Sequence, residues 1–216
     1  MSLFHPASLQ GLTMRGDWML FIIVAAVVAA IMYVLILLPL FVWRERNGRK
    51  PASFSGNTAL EITTAVIPLL IVAGLFVDTY VRETAVDRVS AHPEAVVLAT
   101  AFRWSWRFEY PIAKISTVGT PAQPPTLYLP VNRTTEVDLS SVDVTHSFWV
   151  PAFLFKRDAI PGMTNRFDLD PDRIGTFDAK CAQFCGLSHA LMTFRVRVVG
   201  DAAFDRYLAS GGARLP

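Results

Sequence analysis

The segment CAQFCGLSHALM, Cys181 to Met192, places two thiols, an imidazole and a thioether in one short stretch. These donors are soft or borderline and suit copper. The chain has 2 cysteines, and both are here. A further imidazole, His146, falls at the end of an apolar strand in DVTHSFWVPAF. A buried strand that brought His146 beside the loop would complete a set of two Cys, two His and one Met. One cysteine, two histidines and a weak methionine describe a mononuclear blue-copper site. The second cysteine changes the stoichiometry. Two thiolates can bridge two metal ions, with one histidine capping each. Met192 and a backbone carbonyl, that of Gln183, take the remaining positions. Bridging thiolates share an added electron over both metals, so each changes little in geometry and transfer is fast. Such a set is a redox relay with no open position for substrate.

Other chemistry competes for the same residues. Two cysteines four apart outside the cytoplasm can form a disulfide, which leaves His189 and Met192 unexplained. Zinc accepts two Cys and two His, but the C-x3-C-x3-H spacing differs from common zinc patterns and Met192 would be idle. A thiol copper chaperone also uses C-x3-C with a distant histidine, on a thioredoxin-like α/β pattern that this segment lacks. His5 and His92 read as exposed loop histidines.

The elements around the loop read as β structure. Ala95 to Ala101, Phe102 to Tyr110, Leu127 to Val131, Glu136 to Leu139, Val142 to Val150, Arg166 to Leu169, Gly175 to Ala179 and Thr193 to Val199 are short runs rich in Val, Phe, Trp and Thr. Pro, Gly, Asn and Asp separate them. Many short strands at this spacing predict a sandwich or barrel. Gly119 to Pro125 reads as a loop, and only Ala202 to Leu208 looks helical.

The first part of the chain is different. No charged side chain occurs from Trp18 to Trp43. A bilayer core of about 30 Å needs about 20 helical residues, so this run is long enough to span. Its two tryptophans mark the ends as interfacial aromatics do. A second run, Ile62 to Val77, spans if extended to Val81, and its Pro68 and Gly74 are tolerated in membrane helices. The segment 44–60 holds Arg44, Arg46, Arg49 and Lys50 against Glu45, which predicts a cytoplasmic loop with both ends of the hairpin outside. The apolar run is longer than a signal-peptide core and its charges follow it, so retention is expected. The expected organisation is an N-terminal extracytoplasmic segment 1–17, a transmembrane hairpin 18–81, and an extracytoplasmic β domain 82–216. Composition agrees: 52% of the 216 residues are hydrophobic and 18% charged, against about 25% charged in average chains. A net charge of +2 gives no reason to expect nucleic acid as a partner.

With these residues in view, the chain resembles subunit II of the haem–copper respiratory oxidases, the subunit carrying the dinuclear copper A centre. CAQFCGLSHALM satisfies the family motif C-x-[EQ]-x-C-G-x-x-H-x-x-M. HSFWVPAFLFKRDAIPGMTN, His146 to Asn165, is similar to its HS-x-x-VP…K-x-DAIPG stretch, and FRWSWRFEY, Phe102 to Tyr110, to its aromatic region. The likeness covers nearly the whole chain. It implies a cupredoxin-like β-barrel on a two-helix hairpin, with His146, Cys181, Cys185, His189 and Met192 as side-chain copper ligands and Gln183 ligating through its carbonyl. It implies that Trp104 receives electrons from a c-type cytochrome, with a core aromatic as the competing role. By the same resemblance Glu61 lies at the mouth of a proton-uptake channel in subunit I, with an ordinary interfacial carboxylate as the competing role.

The partners implied are the haem-bearing subunit I, a c-type cytochrome donor and the lipid bilayer. The setting implied is a bacterial inner membrane with the β domain in the periplasm. Oxygen is then reduced to water in subunit I, with no catalytic residue for that step in this chain. No CxxCH haem-attachment motif is present, so no haem is expected here. Two positions depart from the family. Gln183 is neutral where a glutamate often helps bind a magnesium or manganese ion shared with subunit I. A hard dication prefers carboxylate oxygen, which puts that magnesium site in question. Thr64 stands where the family has tryptophan. The β segment is nearly neutral, with 15 Lys/Arg and 14 Asp/Glu in 82–216, so cytochrome docking is expected to rest more on apolar contact than on charge. A copper A subunit of a nitric oxide reductase and a membrane-tethered copper carrier are the rival functions.

Overall fold

The computed structural model describes residues 4–42 and 56–215. Trp43 and the basic residues of the expected cytoplasmic loop, Arg44 to Lys50, lie outside the described residues. The chain forms two compact units. One is helical, Gly16–Glu83; the other joins Thr84–Pro216 with the N-terminal residues through Arg15.

Two long helices make the helical unit: α1, Leu9–Val42, and α2, Thr58–Val86. Each is long and apolar enough to cross a membrane, and neither spanning stretch is buried by the chain itself. Large side chains such as Leu35, Phe41, Leu69 and Phe76 stand exposed along both. A helix apolar on all sides is stable in lipid or against other subunits, not in water. At one end of the hairpin the Arg82 guanidinium lies 2.8 Å from Asp17 and 3.0 Å from Asp78, tying the two helices together. Helix α1 begins before Trp18 because Ser8 caps it. The Ser8 hydroxyl accepts from Gly11 N–H at 3.1 Å, and a serine at this position stabilises a helix by about 1 kcal/mol. Asn57 caps α2 in the same way through Leu60 N–H.

The residues before α1 belong to the β unit by hydrogen bonding. Ser8 forms a β-bridge with Pro171, and Ala7 N–H donates to the Ala152 carbonyl. The Gln10 amide donates to Asp170 Oδ2 at 2.7 Å and to the Asp168 carbonyl, and accepts from Asp170 N–H.

Among the described residues ten strands form two five-stranded sheets. The first has β1 (Ala95–Phe102), β2 (Ser105–Tyr110), β3 (Ile115–Val118), β5 (Thr135–Ser141) and β8 (Asn165–Leu169), in the order β3-β2-β1-β5-β8. The second has β4 (Thr126–Pro130), β6 (His146–Val150), β7 (Phe155–Ala159), β9 (Gly175–Cys181) and β10 (Thr193–Val199), in the order β4-β10-β9-β6-β7. Side chains alternate across β1 and β5, with Val97, Ala99, Val137 and Leu139 fully inside. That is the period-2 pattern of a sheet with one face on a core. Between the sheets Trp106, Phe148, Phe167 and Phe194 pack together, Trp106 edge-on to Phe148 and the other pairs tilted, Trp106 and Phe194 with ring centres 5.1 Å apart. Each such ring contributes about 1.5–3 kcal/mol by leaving water. The Tyr110 hydroxyl joins the sheets: it accepts from Tyr128 N–H at 2.8 Å and donates to the Tyr128 carbonyl at 2.9 Å. Helix α3, Asp201–Ala209, buries Phe204 and Tyr207 against this end.

Two local expectations change, and two strands lie outside the expected runs. The aromatic run Phe102 to Tyr110 is not one strand, because Arg103 and Trp104 form the turn between β1 and β2. The run Val142 to Val150 is a strand only from His146, which therefore opens β6 instead of ending a strand. Strands β3 and β7 were not legible as strands. Both are sheet edges, where polar residues on the open side remove the apolar signal.

Candidate metal centre

Strand pairing fixes the place of the cysteine loop. β9 and β10 are antiparallel neighbours, and Cys181 N–H donates to the Met192 carbonyl at 2.9 Å. The ladder thus closes on Cys181 and Met192, and residues 182–191 must arch over the end of the sheet. β6 lies on the other side of β9, with Phe148 opposite Cys181, so His146 at its start reaches the same end. Gly186 allows the arch. Its φ is +116°, a conformation that side chains with a Cβ rarely adopt, and a Cβ there would stand 3.3 Å from the Trp104 ring.

The donors meet in one cluster. His146 Nδ1 is 3.9 Å from Cys181 Sγ, Cys181 Sγ is 4.0 Å from Cys185 Sγ, and Cys185 Sγ is 3.6 Å from His189 Nδ1. Met192 Sδ is 3.7 Å from Cys185 Sγ, and the Gln183 carbonyl oxygen is 3.2 Å from Cys181 Sγ. One histidine therefore flanks each thiol. His146, Cys181, Cys185 and Met192 are buried, whereas His189 is partly exposed. Both cysteines are free. His5 and His92 are exposed and stand apart from the cluster.

This donor set fits copper. Two donors sharing a first-row metal, each bonded at about 2.0–2.3 Å, lie within about 4.6 Å of each other, and each neighbouring pair above does. Two thiols, two imidazoles, a thioether and a carbonyl are more than one tetrahedral zinc can use. Their softness favours copper.

Electrostatics prepare the thiols unequally. Burial opposes ionisation of Cys181, but hydrogen bonds from His146 and from the backbone at Ser147 and Gln183 outweigh it and push its pKa down. Cys185 is pushed up by burial and then by the negative charge of Cys181. Two adjacent thiolates are stable only when a cation lies between them. Burial works against a charged His146, yet its contacts with Cys181 and Asp143 raise its pKa. Asp143 loses hydration too, but donors from His146, Arg103 and Val144 bring it down to about 2.

Trp104 adjoins this cluster from the β1–β2 turn. It is half-buried, and its Nε1–H donates to the Cys185 carbonyl at 3.1 Å. Trp106 is fully buried in the core. Phe184, Leu187 and Leu191 project from the loop, Leu187 with 93% of its surface exposed. Their position in the loop showed at the sequence level, but not their exposure. Asp143 also escaped the sequence reading, since it sits where a strand was expected. Glu61 is not at the cluster. It is exposed in the first turn of α2, in the helical unit.

Known proteins share these features. Residues 122–199, from just before β4 to the end of β10, match the family described as "Cytochrome C oxidase subunit II, periplasmic domain". Cytochrome c oxidase subunit 2 of Mycobacterium tuberculosis is 30% identical over an alignment covering 90% of this chain and 70% of that one. The subunit of Corynebacterium diphtheriae is 29% identical, covering 92% and 72%. Among solved structures, the periplasmic domain of subunit II of cytochrome oxidase (CoxB) of Bradyrhizobium japonicum superposes with a TM-score of 0.52 at 29% identity, over 57% of this chain and 96% of that one. A second structure of that domain, in a mixed disulfide with a thioredoxin-like TlpA protein, gives 0.51 at 29% identity, over 57% and 95%. Two apolar helices, a cupredoxin-like β domain and a His/Cys/Cys cluster thus accompany extended sequence likeness, and the chain belongs to the cytochrome c oxidase subunit 2 family, membrane-anchored subunits of a haem–copper oxidoreductase.

Proposed function

We propose that this chain is the electron-entry subunit of a terminal oxidase. It takes electrons from a c-type cytochrome and passes them to haem in subunit I, where oxygen is reduced to water. The observation that carries the proposal is the pairing of two free, buried thiols with one histidine beside each. His146, Cys181, Cys185, His189 and Met192 would hold a dinuclear copper A centre by their side chains, and Gln183 by its carbonyl. When bound, the two coppers supply one-electron carriage at low reorganisation.

The protein's own part is to hold the donors rigidly and to exclude water. The β9–β10 ladder fixes Cys181 and Met192, the Trp106–Phe148–Phe194 packing walls off the inner side, and no donor position is left for substrate. Trp104, hydrogen-bonded to the loop at Cys185, is the proposed point of electron entry. Exposed apolar side chains next to such a point mark a docking surface, and Phe184, Leu187 and Leu191 supply them. Glu61, at the start of α2, is the proposed mouth of a proton-uptake route in subunit I. The proposed setting is a bacterial inner membrane, with loop 44–60 cytoplasmic and residues 82–216 periplasmic. A magnesium site is not part of the proposal, because the exposed Gln183 side chain offers a neutral amide. Metal loading needs both thiols reduced, and a thioredoxin-like reductant, the class of protein captured on the Bradyrhizobium domain, is the proposed source of that state.

The test uses the purified oxidase complex mixed with a reduced c-type cytochrome. A complex carrying Cys185→Ser is expected to keep its haem and lose rapid cytochrome oxidation. Wild-type rates without the copper would overturn the proposal.

A further inference from the structure

Asp143 lies in the turn between β5 and β6, and four donors converge on its carboxylate. Oδ1 is 2.9 Å from His146 Nε2 and accepts Val144 N–H at 2.7 Å. Oδ2 accepts Arg103 N–H at 2.8 Å and faces Arg103 Nε at 3.4 Å. Arg103 is joined to Trp104, whose indole N–H reaches the Cys185 carbonyl. A chain of contacts therefore runs from His146 through Asp143 and the β1–β2 turn to Cys185, linking both halves of the cluster outside the metal ligands themselves.

The geometry points to Asp143 as a positioning residue that holds the His146 ring and the Trp104 turn with one carboxylate. This rests on the proposed copper centre for its purpose, though the coupling is a property of the metal-free chain as well. An imidazole whose Nε2–H donates to a carboxylate presents Nδ1 to a metal and is more basic there. His146 Nδ1 is the atom that faces Cys181. The other oxygen anchors a backbone N–H, so the Trp104 turn is held by Asp143 and not by the half-exposed Arg103 side chain, whose ion pair is worth little. An amide cannot replace the carboxylate. Asparagine has one acceptor oxygen, so it satisfies either the His146 side or the Arg103 side.

The experiment compares the full chain in micelles with Asp143→Asn, Asp143→Ala and Arg103→Ala. In metal-free protein the nuclear magnetic resonance signal of the Trp104 indole N–H is expected to move in Asp143→Ala and to hold in Arg103→Ala, with the Trp149 indole unmoved in all; Asp143→Asn is expected to release either the Trp104 turn or the His146 ring. After copper loading, the Asp143 variants are expected to lose roughly 10–100-fold in metal affinity, as when a ligand histidine loses its carboxylate partner. Their electron paramagnetic resonance spectra change as well. If Asp143→Ala unfolds, Asp143→Asn carries the same test. A folded Asp143→Asn with the Trp104 signal unmoved and copper affinity and spectrum both equal to wild type overturns the inference and leaves Asp143 as a turn cap. Failure of the wild-type chain to bind two coppers counts against the proposed function instead, and the metal-free signal still decides the coupling.

Discussion

The indole N–H of Trp104 donates to the main-chain carbonyl of Cys185 at 3.1 Å, joining the β1–β2 turn directly to the cysteine loop. The same ring covers Gly186, the next residue of the loop. A partly exposed aromatic is thereby one hydrogen bond from a proposed metal ligand, which a strand residue of the same parity as Trp106 would not be. Trp104→Phe keeps an aromatic ring, smaller than the indole, and removes the donor. Copper content is expected to stay at the wild-type level while electron entry from the cytochrome slows, with a stability loss of about 1 kcal/mol. Cytochrome oxidation by the complex and copper analysis check both. Unchanged entry with intact copper would make Trp104 a packing residue.

Gly186→Ala puts a side chain where φ is +116° and where the Trp104 ring is already 3.3 Å away. Backbone strain of this kind costs about 1–3 kcal/mol. The loop is expected to shift, and copper to be lost to a chelator faster than from the wild type. Chelator competition followed optically measures this.

Tyr110→Phe removes the hydroxyl that satisfies both backbone groups of Tyr128. Two buried polar groups then lose a partner, at about 1–3 kcal/mol each. Urea unfolding is expected to show a lowered midpoint, with the copper spectrum unchanged because this contact lies outside the cluster.

Gln10→Ala deletes hydrogen bonds to Asp168 and Asp170. The β unit is expected to lose about 1–3 kcal/mol, read by its thermal unfolding. No loss would show that the start of α1 only lies on the domain.

Glu61→Gln in the complex is expected to slow turnover and proton uptake together, while cytochrome binding holds. Equal turnover in vesicles with and without the substitution would remove the channel role.

Much of the site was legible because metal donors are few and their spacing is short. Cys181, Cys185, His189 and Met192 announce themselves within one loop, and His146 follows from being the other histidine beside an apolar strand. The helices were legible because no charge interrupts Trp18 to Trp43. The start of α1 was not, since Ser8 and Gln10 act through partners in the segment around Pro171 that no local pattern displays. The Arg103–Trp104 turn was hidden inside a continuous aromatic run, and with it the contact to Cys185. Asp143 was hidden for the same reason: an isolated aspartate before a histidine carries no signal until the fold brings Arg103 to it. β7, with FKRDA, reads as polar because it is an edge strand whose Lys156 is exposed and whose Arg157 and Asp158 are only partly buried.

The central claim is a two-metal relay, and counting metal tests it most directly. Copper per chain would be measured on the purified full-length protein after loading, alongside its electron paramagnetic resonance spectrum. The account predicts two coppers per chain, with hyperfine structure from one electron shared over both nuclei. One copper with the spectrum of a single ion, or no copper and a Cys181–Cys185 disulfide, would contradict it.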